Sequence, residues 1–262
     1  MRGGMAYPGA LAAAVVSLGV LLAGCASTAD KEQAASVEQR AALRLQLASA
    51  YYVQDQFVVA LAEAEQAVQL VPDNAQVRGM RALIFAALRQ PVAAEKDFLY
   101  ALRLAPHNPE LSNNYGLFLC QTGRAAQSLA YFDAALQDVA YGTPELALHN
   151  AAACSLIMQD YPRAAGYWLK AERIAPGVAI TYAGLVRVYY QQQDYRQAAH
   201  YLERLGKVAT MESQTADVLW LGIKVQHKLG DAGAEAGLGA HLRNHHSGSP
   251  EYAAYQNGAF DE

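Results

Sequence analysis

Residues 71–106 read VPDNAQVRGMRALIFAALRQPVAAEKDFLYALRLAP. Two apolar stretches of helical spacing lie between two prolines, and Arg89-Gln90-Pro91 divides them. Pro72 and Pro106 are 34 residues apart, and Pro176, in APGV at 175–178, follows 70 residues later as one unit of 34 and one of 36. A fixed period of this length is the mark of a repeat array. Counting back from each proline places unit starts at Ala41, Ala75 and Glu145, with a unit from Pro109 in which Ala140 stands in the proline's place. The two extra residues fall near Tyr141-Gly142-Thr143. Further units start at Ala179 and, more weakly patterned, near Thr215. Each unit is broken at its middle by turn residues, such as Gln121-Thr122-Gly123, Gln159-Asp160 and Gly230-Asp231. No segment alternates with period two for long enough to predict a sheet.

The unit resembles the tetratricopeptide repeat (TPR), which has a small residue at position 8, alanine at 20 and 27, an aromatic at 24 and proline at 32. The first unit supplies Ala48, Ala60, Ala67 and Pro72; the second supplies Ala82, Ala94, Phe98, Ala101 and Pro106. The third carries Gly116 and Phe132, and the fourth Ala152, Ala164, Trp168, Ala171 and Pro176. The resemblance implies an all-α fold: a right-handed superhelical solenoid of six repeats, about 12 antiparallel helices, over residues 41–248. Each repeat alone cannot bury its apolar face, so the stack behaves as one domain.

The segment before the array has a different character. Arg2 is the one charged residue before Asp30, and Ala10–Ala23 is apolar or small. That run is short for a membrane span and fits a secretory signal. It ends in Leu22-Ala23-Gly24-Cys25, which resembles the bacterial lipoprotein box. The expectation is a signal peptide over 1–24, lipid attachment at Cys25 and a flexible tether over 25–40; a chance cysteine after an ordinary signal is the alternative. In lipoproteins an aspartate after the cysteine holds the protein at the inner membrane. Ala26 here implies the periplasmic face of the outer membrane. Residues 249–262 read as a polar C-terminal tail. Without Arg2 the chain carries 19 basic and 24 acidic residues, a formal charge of −5, which gives no general attraction to nucleic acid. Membrane attachment would come from the acyl chains, palmitate included.

No phosphate-binding loop, H-E-x-x-H, G-x-S-x-G or C-x-x-C is present. The expectation is a protein without catalysis, cofactor, metal or small-molecule substrate. HLRNHH at 241–246 could hold a metal, but reads as a fraying last helix. Besides Cys25 there are two cysteines, Cys120 and Cys154, at nearly equal heights on the first helices of adjacent repeats. In an oxidising compartment such a pair reads as a disulfide. Two buried free thiols, or a Cys120 nucleophile served by His149, are the alternatives.

The whole arrangement resembles the PilF/PilW family of type IV pilus biogenesis lipoproteins, the pilotins of the pilus secretin. The phrase that carries this is Asn113-Asn114-Tyr115-Gly116, Phe118-Leu119-Cys120 and Gly123. Leu148-His149-Asn150, Ala153-Cys154, Leu219-Trp220-Leu221-Gly222 and Ser249-Pro250-Glu251-Tyr252 extend it, although His245-His246-Ser247-Gly248 departs from the family's apolar residue and proline. The resemblance implies an outer-membrane pilotin that binds the secretin subunit through its concave groove and promotes multimer assembly. Groove positions 2, 5, 9, 12 and 13 of each first helix then nominate Leu45, Ser49, Tyr52, Val53, Leu83, Ala86, Asn113, Leu117 and His149 as the partner-binding set. Arg187 is the one cation at these positions in the first five repeats, which argues against a carboxylate clamp. Another outer-membrane TPR scaffold, a β-barrel assembly subunit or protease adaptor, is the alternative.

Overall fold

The computed structural model describes Met1 and residues 33–260, and every regular element among them is helical. The expected signal peptide and Cys25 lie outside the described residues. The chain divides into two compact units, Met1–Pro106 and His107–Glu262.

The first unit holds α1 (33–53), α2 (Phe57–Leu70), α3 (Ala75–Ala87) and α4 (Pro91–Leu104). These are repeats one and two. Asn74 caps α3 by accepting from the Val77 amide, and Pro91 opens α4 where a backbone donor is not needed. The core is built on alanine. Ala48, Ala60, Ala64 and Ala67, then Ala82, Ala94 and Ala101, are fully buried, with Ile84 and Phe98 filling the gaps between them. The expected tether is helical from residue 33 onward. Its alanines, with Gln33, Glu38, Gln39 and Arg40, are strong helix formers and no glycine or proline interrupts them.

The second unit holds α5 (Pro109–Gln121), α6 (Ala125–Ala135), α7 (Pro144–Ile157), α8 (Tyr161–Ile174), α9 (Ala179–Gln191), α10 (Tyr195–Val208), α11 (Ala216–Leu229), α12 (Ala232–His246) and α13 (Pro250–Gln256). Each helix packs on the next, and alternate helices α5, α7, α9 and α11 also touch. Asp160, Asp194 and Asp231 cap α8, α10 and α12 at the same point of three repeats. In all six repeats the turn between the two helices contains one left-handed residue: Asp55, Arg89, Gly123, Gln159, Gln193 and Gly230. A non-glycine residue costs about 1 kcal/mol there, which the packing of the flanking helices offsets.

The expected polar tail contains α13. Ser249 caps it, Pro250 opens it, and Tyr255 sits on Gly239, where a Cβ would fall 2.5 Å from the ring. Phe260 then stacks on His227 and leans on Trp220, sealing the last repeat. The HLRNHH stretch remains within α12 to its end; His246 is tied to the Gln214 carbonyl and His241 to Glu212. Composition suggested a frayed end, but these tertiary contacts hold it.

Small residues mark the closest helix crossings. A Cβ on Gly116 would lie 2.8 Å from Phe132 of the same repeat, and one on Gly184 would lie 2.3 Å from the Trp168 indole. Gly184→Ala is therefore expected to destabilise the protein by about 1–3 kcal/mol. Gly166→Ala, in α8 with nothing within 4 Å of the added methyl, is expected to stabilise it by about 0.5–1 kcal/mol. Urea unfolding followed by circular dichroism reads both, and equal effects would contradict the packing described.

Candidate functional site

The nominated residues divide between the two units. In the first, Leu45 is half-buried against Ala67, Val68 and Val77. Ser49 donates its hydroxyl to the Met80 sulfur at 3.4 Å, which lays α1 against α3. Tyr52 is half-buried, 5.5 Å from the Phe57 ring, and burial raises its pKa. Val53 is 81 % exposed, and Leu83 and Ala86 are half-buried on α3. Helical spacing explains the pattern: position 8 faces the partner helix, positions 5 and 12 lie one turn to either side of it, and position 13 turns furthest away.

In the second unit the position rule holds for apolar residues and fails for a polar one. Leu146, Ile157 and Ile180, at positions 2 and 13, are exposed, and Leu117 is half-buried against the unit's main core. Asn113, nominated as a groove contact, is 2 % exposed. Its carbonyl accepts from the Asn150 amide at 2.9 Å, so it joins α5 to α7 inside the stack. This corrects the expectation. A buried amide needs its partners, and the neighbouring repeat supplies one. His149 is half-buried, and its Nε2 lies 2.8 Å from the Thr181 hydroxyl of α9. Burial pushes its pKa down, partly offset by the Glu145 carboxylate one turn away.

Cys120 and Cys154 are joined in a disulfide, with Cα atoms 5.9 Å apart and both side chains buried. That spacing lies within the range a disulfide requires. The bond staples α5 to α7 beside the Asn113–Asn150 contact. It leaves no thiol for His149 to activate.

Several pairs escaped the sequence reading. In repeats one and two an arginine at position 4 meets an acid at position 23: Arg44 with Glu63 at 2.7 Å, and Arg78 with Asp97 at 3.1 Å. Asp97 is 2 % exposed and is also gripped by Arg81. Positions 23 of repeats three to five are Tyr131, Tyr167 and Tyr201 instead; Tyr167 donates to Asp133, and Tyr201 to Glu172. The regular 19-residue offset of the two ion pairs was a signal in the sequence. Arg187 is paired with Asp217, and Lys224, on α11, lies over the Tyr190 ring. Burial, and then the charge of Arg187, lower the Lys224 pKa. Among the described residues no three metal-binding side chains converge.

Two measurements probe this seam. Replacing Cys120 and Cys154 with serine opens a loop of 34 residues and is expected to remove about 3–4 kcal/mol of stability. A matched urea midpoint would contradict it. Because the folded pKa of His149 lies below its ordinary 6.5, the unfolded chain takes up this proton first as pH falls. The contribution is complete above about pH 6.5 and is lost below it. Wild type should lose stability from pH 7 to pH 5 more steeply than His149→Gln.

The comparisons with known proteins agree with this architecture. The tetratricopeptide-repeat family model matches residues 45–109 and 80–143. The chain is 27% identical over 251 residues to the type IV pilus assembly protein PilF of Pseudomonas aeruginosa, covering 94% of this chain and 97% of that protein. The crystal structure of PilW, described as a widely conserved type IV pilus biogenesis factor, matches with a TM-score of 0.77 and 30% identity. It covers 83% of this chain and 99% of PilW. The structure of Pseudomonas aeruginosa PilF, 23% identical, shares the fold with a TM-score of 0.76 over 85% of this chain and 99% of that one. A tetratricopeptide-repeat array, with near-complete coverage of PilW at this identity, places the chain in the PilF/PilW family of type IV pilus biogenesis TPR proteins.

Proposed function

We propose that this protein is a pilotin: an outer-membrane lipoprotein, acylated at Cys25, that binds the type IV pilus secretin subunit and promotes its localisation and multimer assembly. Family membership supports the pilus role, and Leu22-Ala23-Gly24-Cys25 supports the anchor. The observation that carries the binding step is the set of apolar side chains left partly or fully exposed on α1 and α3: Leu45, Tyr52, Val53 and Leu83. Apolar surface held open to water on a packed pair of helices is a docking surface. An aromatic such as Tyr52 supplies a large share of the contact. Holding a secretin subunit beside a lipid anchor raises its local concentration at the membrane, and the binding needs no covalent step.

The double variant Leu45→Glu, Leu83→Glu is expected to keep its helical spectrum and to lower heat-resistant secretin multimers in the outer membrane severalfold. Cys25→Ala should leave the outer-membrane fraction on a sucrose gradient. Normal multimers with a folded double variant would move the binding surface elsewhere. An unchanged gradient would remove the anchor.

A further inference from the structure

Helix α1 is longer than its counterparts. Its described residues run from 33 to 53, whereas α3 occupies 13 residues and begins directly after its cap at Asn74. The additional turns of α1 stand beside the 71–74 loop that joins α2 to α3. Between them lies a cleft of about 500 Å³. Its apolar lining includes Ala42 and Leu45 from α1, with Val71 and Pro72 from the loop. Its polar lining includes two carboxylates, Glu38 and Asp73, both exposed. Glu38, Ala42 and Leu45 fall at i, i+4 and i+7, so one stripe of α1 presents the acid and the apolar wall together.

The nearby cations already have partners. Arg78 donates through Nε to the Pro72 carbonyl and through Nη1 to Asp97. Arg44 pairs with Glu63, and with Arg40 it lines a different, smaller cleft. Asp73 accepts from the Tyr100 hydroxyl through one oxygen. The result is a cleft with an apolar wall and two carboxylates at its rim. A side chain that matches both features is a long cation, whose methylene stem is apolar and whose head is charged. The volume lies in the range that ordinary ligand pockets occupy, with room for such a side chain and an apolar neighbour.

We propose that this cleft receives a lysine or arginine, flanked by an apolar residue, from an extended segment of the partner protein. The stem lies on Ala42, Leu45 and Pro72, and the head reaches Glu38 and Asp73. The inference deepens the pilotin reading and rests on it for the partner's identity, while its chemistry is tested independently.

The test uses the purified full chain in detergent and short fluorescein-labelled peptides that share two leucines and differ only in the residue between them: arginine, glutamine or glutamate. Anisotropy titration should show the arginine peptide binding about fivefold tighter than the glutamine peptide, with the glutamate peptide weakest, as an exposed ion pair permits. High salt should erase the difference. Glu38→Gln and Asp73→Asn should each reduce it, and Ala42→Phe, which fills the cleft at an exposed position, should abolish binding of all three. Equal affinities for arginine and glutamine peptides, no binding of any peptide, or an Ala42→Phe variant that binds normally would each overturn the proposal. Counting secretin multimers in the Leu45→Glu, Leu83→Glu double variant separates the two readings. Failed peptide discrimination beside multimer loss in Leu45→Glu, Leu83→Glu removes the cleft alone. Clear discrimination beside normal multimers removes the secretin as the partner.

Discussion

Two helices can lie against each other along their length only where a side chain on one leaves room for the other, and this constraint sets the rest of the molecule. Positions 8, 20 and 27 supply that room. Ala48, Ala60 and Ala67, and then Ala82, Ala94 and Ala101, have no measurable exposure. An alanine gives up no rotamer freedom on burial, so close contact is gained at little entropic cost. The aromatic at position 24 uses the space so created, as Phe132 does over Gly116. Once the first helix of a repeat is seated on the second, the face opposite the contact is fixed. Its positions 2 and 13 then project away from the stack.

That division explains why apolar residues remain on the surface. Val53, Leu146, Ile157 and Ile180 are large and exposed. They recur at equivalent positions of different repeats, so their exposure follows from the repeat geometry and is not scattered. The chemistry such a surface offers is complementarity of shape and charge. The buried disulfide and the hydrogen-bonded His149 fit the same picture, because each is occupied in joining one repeat to the next.

The repeat phase, the turn points and the cysteine pair were legible in the sequence because each depends on local spacing. The left-handed turn residue falls between the two helices of all six units, and the disulfide follows from two positions at similar height on adjacent first helices. The roles of polar residues were less legible. Asn113 occupies a groove position by count, yet Asn150 draws it inward, and that partner is 37 residues away in the chain. The segments outside the repeats were misread for a related reason. Residues 33–40 and 249–260 have small or polar compositions that fit loops, but helix propensity in the first case and the contacts of Tyr255 and Phe260 in the second order them.

In a repeat array each unit answers mainly to its neighbours, so stability is distributed as locally as the contacts that supply it. Repeats three to five carry a concentration of such contacts. The disulfide and the Asn113–Asn150 bond join α5 to α7, and the His149–Thr181 contact joins α7 to α9. Tyr167 reaches back from α8 to Asp133 on α6. Repeats one and two rely on alanine packing and on ion pairs between arginines of the first helices and acids of the second. Arg44 and Glu63 are partly open to water, where such a pair contributes little. Local opening is drawn to the least tied part of a structure. The first unit, which carries the extended α1 and its acidic cleft, is therefore the part of the array best able to adjust to a bound segment, while the cross-linked repeats keep a fixed geometry.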